Sequence, residues 1–226
     1  MFGKKKKVLN IYLFRHGKTS YNEKGLFTGW KDTKITKNGF KDARRVAQIL
    51  KNKKFQIAFH TRLIRSKQTL KEVLKFHPEC KWLIEDDRMI ERSYGELEGT
   101  THDSFIKRIG EQSLDLRIHG DALENLDEKR RKWIEEFFGK LEYKIIHRGW
   151  KNPPPGGESF RMVEKRVKKF IKHLKKFMKK HKVNVAISAH GNSIRLFRKI
   201  MEKSSIQETI QWQIPYDQVF HYKIKV

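Results

Sequence analysis

Val8-Leu9-Asn10-Ile11-Tyr12-Leu13-Phe14 runs without a break into Arg15-His16-Gly17. The apolar run is the length of one buried strand and far short of the roughly 18 residues that a membrane helix needs. It ends on a cation, an imidazole and a glycine. A second such junction lies near the other end of the chain, where Val183 to Ile187 leads into Ser188-Ala189-His190-Gly191-Asn192. Two strands that each stop at a histidine followed by glycine suggest one site fed from distant parts of the sequence.

Between these junctions the pattern alternates. Thr36-Lys37-Asn38-Gly39 opens a stretch in which Phe40, Ala43, Ala47 and Leu50 recur at helical spacing. Phe55 to Phe59 reads as a second strand, Leu63 to Phe76 as a helix closed by Pro78, and Trp82 to Ile84 as a third strand. Residues 100–152 are polar, helix-prone and rich in charge, with Trp133, Ile134, Phe137 and Phe138 as an apolar helical stripe. They read as an insertion or cap over the main sheet. Pro153-Pro154-Pro155-Gly156-Gly157 is a strong break. Beyond it Phe160, Val163, Val167, Phe170, Leu174 and Phe177 line one face of a helix whose other face is lysine. That helix could lie on a membrane surface or pack on a sheet, and the second reading is preferred. A helix from Ser193 to Met201 and a last strand over Val219 to Ile224 complete the chain.

Strands alternating with helices predict an α/β fold: a three-layer sandwich with a mostly parallel sheet flanked by helices, plus a helical cap. The 226 residues suit a single domain over 1–226 with the insertion at about 100–152. Ligands of such sheets gather beyond the carboxyl ends of the strands, where His16 and His190 fall.

Composition narrows the function classes. Hydrophobic residues make up 37%, enough for a core. The single cysteine, Cys80, excludes an internal disulfide and a thiolate zinc site. The basic start, Lys4 to Lys7, is followed by too short an apolar run for a secretory signal, so a cytoplasmic protein without a membrane anchor is expected. The formal net charge is +26. Such a surface favours non-specific association with polyanions, but the lysines are spread along the whole chain and do not by themselves mark a site.

The chemistry of the two junctions is that of phosphoryl transfer. A neutral imidazole can attack phosphorus, and an arginine beside it offers a planar fork to phosphate oxygens. Glycine lets the backbone approach a ligand closely. A second imidazole can donate to a phosphoryl oxygen as charge develops. Thr19 and Asn22 add neutral donors.

Six segments, in order, carry a resemblance to a known family. They are Leu13-Phe14-Arg15-His16-Gly17, Phe27-Thr28-Gly29-Trp30-Lys31-Asp32, Arg65-Ser66-Lys67-Gln68-Thr69, Glu91-Arg92-Ser93-Tyr94-Gly95-Glu96-Leu97-Glu98-Gly99, Pro154-Pro155-Gly156-Gly157-Glu158-Ser159 and Ala189-His190-Gly191-Asn192-Ser193-Ile194-Arg195. Together they resemble the histidine phosphatase superfamily, and within it the 2,3-bisphosphoglycerate-dependent phosphoglycerate mutases. The resemblance implies His16 as phosphorylated nucleophile and Arg15, Arg65 and His190 as the pocket for the transferred group. It implies Asn22, Thr28, Gly29 and Asn192 as phosphate or substrate contacts, with Tyr94 beside them. Glu91 would be the general acid and base, protonated part of the time; read without the family it is a surface carboxylate paired with Arg92. A small phosphorylated substrate, a bisphosphate primer and no metal are expected, and a homo-oligomer is compatible with the sequence.

Three features depart from the mutase pattern. His102 stands where the mutases have a lysine. His147-Arg148 stands where they have an arginine pair. The chain stops at Val226, just past the last strand, where mutases commonly extend a tail over the site. These features decide the acceptor. If it is water, the enzyme is a phosphomonoesterase; if it is a second hydroxyl of the same glycerate, it is a mutase. The Phe27–Trp30 segment, Tyr94 and the proline run favour the mutase. A basic binding protein that reuses the fold is the rival from another class.

Overall fold

The computed structural model describes residues 7–117 and 127–225. Five strands form one sheet in the order β3-β2-β4-β1-β5: β1 Val8–Arg15, β2 Ile57–His60, β3 Trp82–Glu85, β4 Val185–Ala189 and β5 Val219–Lys225. Four are parallel and β5 pairs antiparallel to β1. The chain order therefore places the two histidine-terminated strands, β1 and β4, side by side in the centre.

Alternation along the strands sorts the core into two layers, as the period of two requires. Leu9, Ile11, Leu13, Ile57, Phe59, Val185 and Ile187 face the long helix α6 (Phe160–His181) and α7 (Gly191–Glu202). Tyr12, Phe14, Ala58 and Ala186 face α2 (Lys37–Leu50) and α3 (Ile64–Leu74) through Val46, Ala47, Leu50, Leu70 and Val73. The result is the expected three-layer α/β sandwich. In α6, Phe160, Val163, Val167, Phe170 and Leu174 are fully buried, each contributing roughly 1.5–3 kcal/mol. Its apolar stripe is thus a core face, which decides against a membrane-surface helix. No helix among the described residues is long and apolar enough to cross a membrane.

Element boundaries differ modestly from the sequence reading. β2 and β4 each begin two residues later than the apolar runs suggested, because pairing starts at Ile57 opposite Val185. Phe55, read as strand, instead packs its ring against Tyr12 and His77. The half-buried Cys80 packs near that cluster, and burial pushes its thiol up to about 11. α7 starts at Gly191 rather than Ser193, so its first turn abuts His190.

Residues beyond β3 form a hairpin of α4 (His102–Arg117) and α5 (Glu128–Arg148). The expected apolar stripe of α5 is only in part a packing face: Ile134 and Phe138 are half-buried, whereas Trp133 and Phe137 are 66% and 52% exposed and stack on each other. The helices meet instead where Gly110 lies against Glu135 and Gly139 against Ile106, with no room for a Cβ at either glycine. Backbone proximity, rather than hydrophobicity, selected the face. The hairpin meets the rest of the fold through Phe105, Ile146 and Tyr143, which pack on Phe27, Tyr94 and Leu97. It therefore borders the carboxyl end of the sheet instead of covering its face.

Candidate active site

The register of β1 and β4 pairs Arg15 with Ala189, so the next residues, His16 and His190, emerge as neighbours. The amide of His16 still donates to the Ala189 carbonyl at 3.0 Å. Their ring centroids lie 5.0 Å apart, and both side chains are buried. The His16 ring is held by a 2.8 Å hydrogen bond between Nδ1 and the Gly17 carbonyl. A carbonyl only accepts, so Nδ1 carries the proton and the lone pair sits on Nε2. Burial first, and then the Arg65 and Arg15 guanidinium groups, hold this imidazole well below its usual pKa. His16 is therefore neutral at physiological pH, with a free lone pair. His190 is held down in the same way, by burial and then by Arg65, and its Nε2 shares a 2.8 Å hydrogen bond with Thr61 Oγ1.

Gly17 serves a purpose other than the one expected. A Cβ there would collide with the carbonyl of Gly39, so the glycine admits the start of α2 rather than a ligand. The Gly17 amide donates to Thr69 Oγ1 at 2.9 Å, and Thr69 in turn donates to the Arg65 carbonyl at 2.8 Å. The loop that carries His16 is thereby tied to α3, which carries Arg65.

Arg65 is fully buried and donates to the carbonyls of Gly29 at 2.7 Å and Lys31 at 2.8 Å. Burial lowers its pKa to about 10, which leaves it a cation near neutrality. Arg15 donates to the Ile214 carbonyl at 2.7 Å. Three nitrogens here, Arg15 Nε, Arg65 Nε and His190 Nδ1, are buried with no hydrogen-bond partner in the protein. Buried donors left in this state are costly, and an oxyanion would satisfy them. The N-terminus of α7, whose Gly191 and Asn192 line the cavity, adds favourable backbone dipoles for an anion.

The cavity has a volume of about 510 Å³. Arg15, His16, Asn22, Thr28, Gly29, Arg65, Glu91, Tyr94, His102, His147 and Asn192 all line it, so nearly the whole expected set converges. His190 is not among the lining residues, although its ring centroid is 5.0 Å from that of His16. Thr19 does not line the cavity either: it is fully buried as the N-cap of α1 (Ser20–Glu23) and bonded to Asn22. The Arg148 side chain lies outside the described residues. Glu91 is buried and not paired with the Arg92 guanidinium, which turns away to the carbonyls of Ile146, His147 and Glu158. Its Oε1 accepts instead from the amides of Arg92 at 2.8 Å and Asn192 at 3.1 Å.

The distal wall is aromatic. The His147 ring lies nearly parallel to Tyr143 (centroids 5.0 Å apart) and to Tyr94 (6.1 Å). His102 meets Phe27 edge-on at 4.4 Å and shares a 3.3 Å contact with the Tyr143 hydroxyl. Burial lowers the pKa of His102.

Several lining residues escaped the sequence reading, among them Lys18, Arg195, Gln213, Ile214, Pro215 and Tyr216. The last four lie in the loop before β5. Pro215 beside an aromatic residue was the only signal available there. Behind the wall, Arg166 binds Glu158 and donates to the Glu91 carbonyl at 2.9 Å, and Trp30 Nε1 donates to the same carbonyl at 2.8 Å. Among the described residues no cluster of His, Cys, Asp or Glu could hold a metal ion.

This chain has recognisable relatives. It matches the profile of the histidine phosphatase superfamily (branch 1) over residues 11–136 and 122–225. It is 32% identical over 210 residues to a 2,3-bisphosphoglycerate-dependent phosphoglycerate mutase of Chlamydia caviae, covering 91% of this chain and 89% of that one. A protein of the same name from Methanococcus vannielii is 28% identical over 209 residues, covering 92% and 87%. Among solved structures, a putative alpha-ribazole-5'-P phosphatase from Escherichia coli superposes with a TM-score of 0.70 at 19% identity, covering 94% of this chain and 89% of that one. A phosphoglycerate mutase from Bacillus anthracis gives 0.68 at 19% identity, covering 97% and 89%. With the profile spanning nearly the whole sequence around a buried pair of imidazoles, the chain belongs to the histidine phosphatase superfamily and is a phosphoryl-transfer enzyme.

Proposed function

We propose that the enzyme is a phosphoglycerate mutase, primed by 2,3-bisphosphoglycerate, that interconverts 3- and 2-phosphoglycerate through phosphorylated His16. The observation that carries this reading is the distribution of cations. Lys18 and Arg195 line the same cavity as Arg15 and Arg65. One phosphoryl group is served by the latter two, and the extra pair suits a substrate with a second anionic group. The curated relatives that bear the mutase name support it further.

In this reading His16 Nε2 attacks phosphorus while Arg15, Arg65, His190 and the α7 N-terminus hold the phosphoryl oxygens. Phosphoryl transfer asks mainly for positioning and charge neutralisation, which these groups supply. Glu91 gives a proton to the departing alkoxide and takes one from the hydroxyl that later accepts the group. Asn22, Thr28, Gly29, Tyr94 and Asn192 orient the glycerate, with His102 and His147 toward its carboxylate; Arg148 is assigned to the same end by the resemblance alone.

A phosphomonoesterase acting on small phosphate esters is the second reading, favoured by the aromatic distal wall. Phe27, Tyr94, His102 and His147 present rings where a carboxylate would be bound, and the half-buried His102 disfavours carrying charge. Incubation with 3-phosphoglycerate, with and without 2,3-bisphosphoglycerate, separates the two. The mutase gives 2-phosphoglycerate only with primer. Release of inorganic phosphate faster than isomerisation selects the phosphatase.

A further inference from the structure

The outward face of α6 is a continuous strip of lysine. Eight lysines fall between Lys165 and Lys180, all exposed, and over that length the helix carries no exposed carboxylate. At 1.5 Å per residue the strip spans about 22 Å. Its only acidic residue, Glu164, is taken by Lys199 of α7 at 2.8 Å. Among the described residues, no α6 lysine lies within ion-pair distance of a carboxylate.

A lysine-rich chain need not produce such a face. On α5 the same composition is interleaved with Glu128, Glu135, Glu136 and Glu142, and Arg131–Glu135 and Lys140–Glu136 pair one turn apart. On α6 the neighbours at three- and four-residue spacing are like charges, which weaken a helix. Beside the strip, a recess of about 560 Å³ is lined by Lys165, Lys168, Lys169, Lys172 and Lys175, with Ile171 and Ile200.

We propose that this face of α6 is a docking strip for the phosphate backbone of duplex nucleic acid, read without regard to sequence. The helix packs on the sheet through its other side, so it cannot enter a groove and read bases; it can only lie along phosphates. Between Lys165 and Lys180 no Phe, Tyr or Trp is exposed, and the one exposed ring, His173, lies against the half-buried Phe177, so there is no row of free platforms for stacking unpaired bases. The apolar face that a bilayer-bound helix would insert is already in the core. A row of cations one helix wide matches a linear polyanion better than a flat one.

The test uses the intact chain, a fluorescently labelled 20-base-pair duplex of arbitrary sequence, and anionic vesicles of phosphatidylserine and phosphatidylcholine. Lys168, Lys172, Lys175 and Lys179 are each changed to Glu in one variant. A control changes Lys37, Lys41, Lys51 and Lys53 to Glu, giving the same net charge. The α6 variant is expected to lose at least a hundredfold in duplex affinity. The slope of log affinity against log salt should also drop by about 3 to 4, near 0.9 per lost phosphate contact. The control should bind within a few-fold of the native chain. Equal losses in both variants overturn the proposal, since binding then reflects overall charge. Absence of duplex binding, or binding of vesicles alone, overturns it too. None of these outcomes depends on the reaction at His16.

Discussion

The guanidinium of Arg15 lies 3.8 Å above the ring of Tyr216, in the same loop whose Ile214 carbonyl accepts from that guanidinium. The Tyr216 ring also stands edge-on to His16, centroids 6.1 Å apart. A residue 201 positions further along the sequence thus fixes the guanidinium of Arg15. The attraction comes from the ring face and not from the hydroxyl. Tyr216→Phe should keep phosphoryl transfer to His16 within about twofold, whereas Tyr216→Leu should slow it about tenfold, near 1.4 kcal/mol. Single-turnover labelling of the enzyme checks this; equal losses in both variants would mean that the hydroxyl matters instead.

Glu91→Gln should separate proton transfer from phosphoryl transfer. The amide keeps an oxygen for the Arg92 and Asn192 donors but cannot supply the proton. With an alkyl phosphate the rate should fall about 10²–10⁴-fold. With p-nitrophenyl phosphate, whose leaving group needs no proton, labelling of His16 should change far less. Comparable losses on both esters would remove Glu91 from that role.

Acid stability follows from the two buried imidazoles. In the unfolded chain they titrate near pH 6.5, while the folded chain holds both well below that. Stability that is present above pH 6.5 is therefore lost as pH falls toward the folded values. The rate is about 1.4 kcal/mol per pH unit for each imidazole. Urea unfolding at pH 7, 6 and 5 should show His16→Gln/His190→Gln losing less on acidification than the native chain. Parallel curves for the two proteins would contradict the burial argument.

His102→Lys combined with His147→Arg should reveal what the distal wall selects. If that wall meets a carboxylate, the double variant should lower KM for phosphoglycerate about tenfold with little change in kcat, the value of one charge-assisted hydrogen bond. An unchanged or higher KM would show that the rings themselves make the contact.

Gly17→Ala tests the seam between the nucleophile's loop and α2. The added methyl must push against backbone at Gly39, which cannot rotate away. A loss of roughly 1–3 kcal/mol in urea unfolding is expected, with slower labelling of His16. Native-like stability would show that the seam opens freely.

The parts of this molecule legible in sequence are those that side chains encode locally. β1 announces itself by an apolar run and β4 by another, and a parallel register does the rest, so His16 and His190 could be foreseen together. The core face of α6 follows from its periodicity alone. Where the controlling group is a main-chain atom, nothing in the letters reveals it. The carbonyls of Gly29, Lys31 and Ile214 that hold the arginines are of this kind, as is the loop that carries Tyr216. The stripe on α5 misled in part for a related reason: Gly110 and Gly139 let two backbones touch, which leaves Ile134 and Phe138 half-buried and Trp133 and Phe137 outside. Thr19 looked like a phosphate donor because it follows the motif, but its hydroxyl is spent on capping a short helix.

Anchoring both guanidinium groups on peptide oxygens has an evolutionary corollary. A peptide oxygen survives any point substitution except one that redirects the chain, so the exposed position 31 is free to drift while its carbonyl keeps its hold on Arg65. At 214 the apolar side chain is held by its place in the core, but its carbonyl's hold on Arg15 still depends only on the path of the loop. Distant relatives can accordingly share the clamp while agreeing at few of the positions that build it.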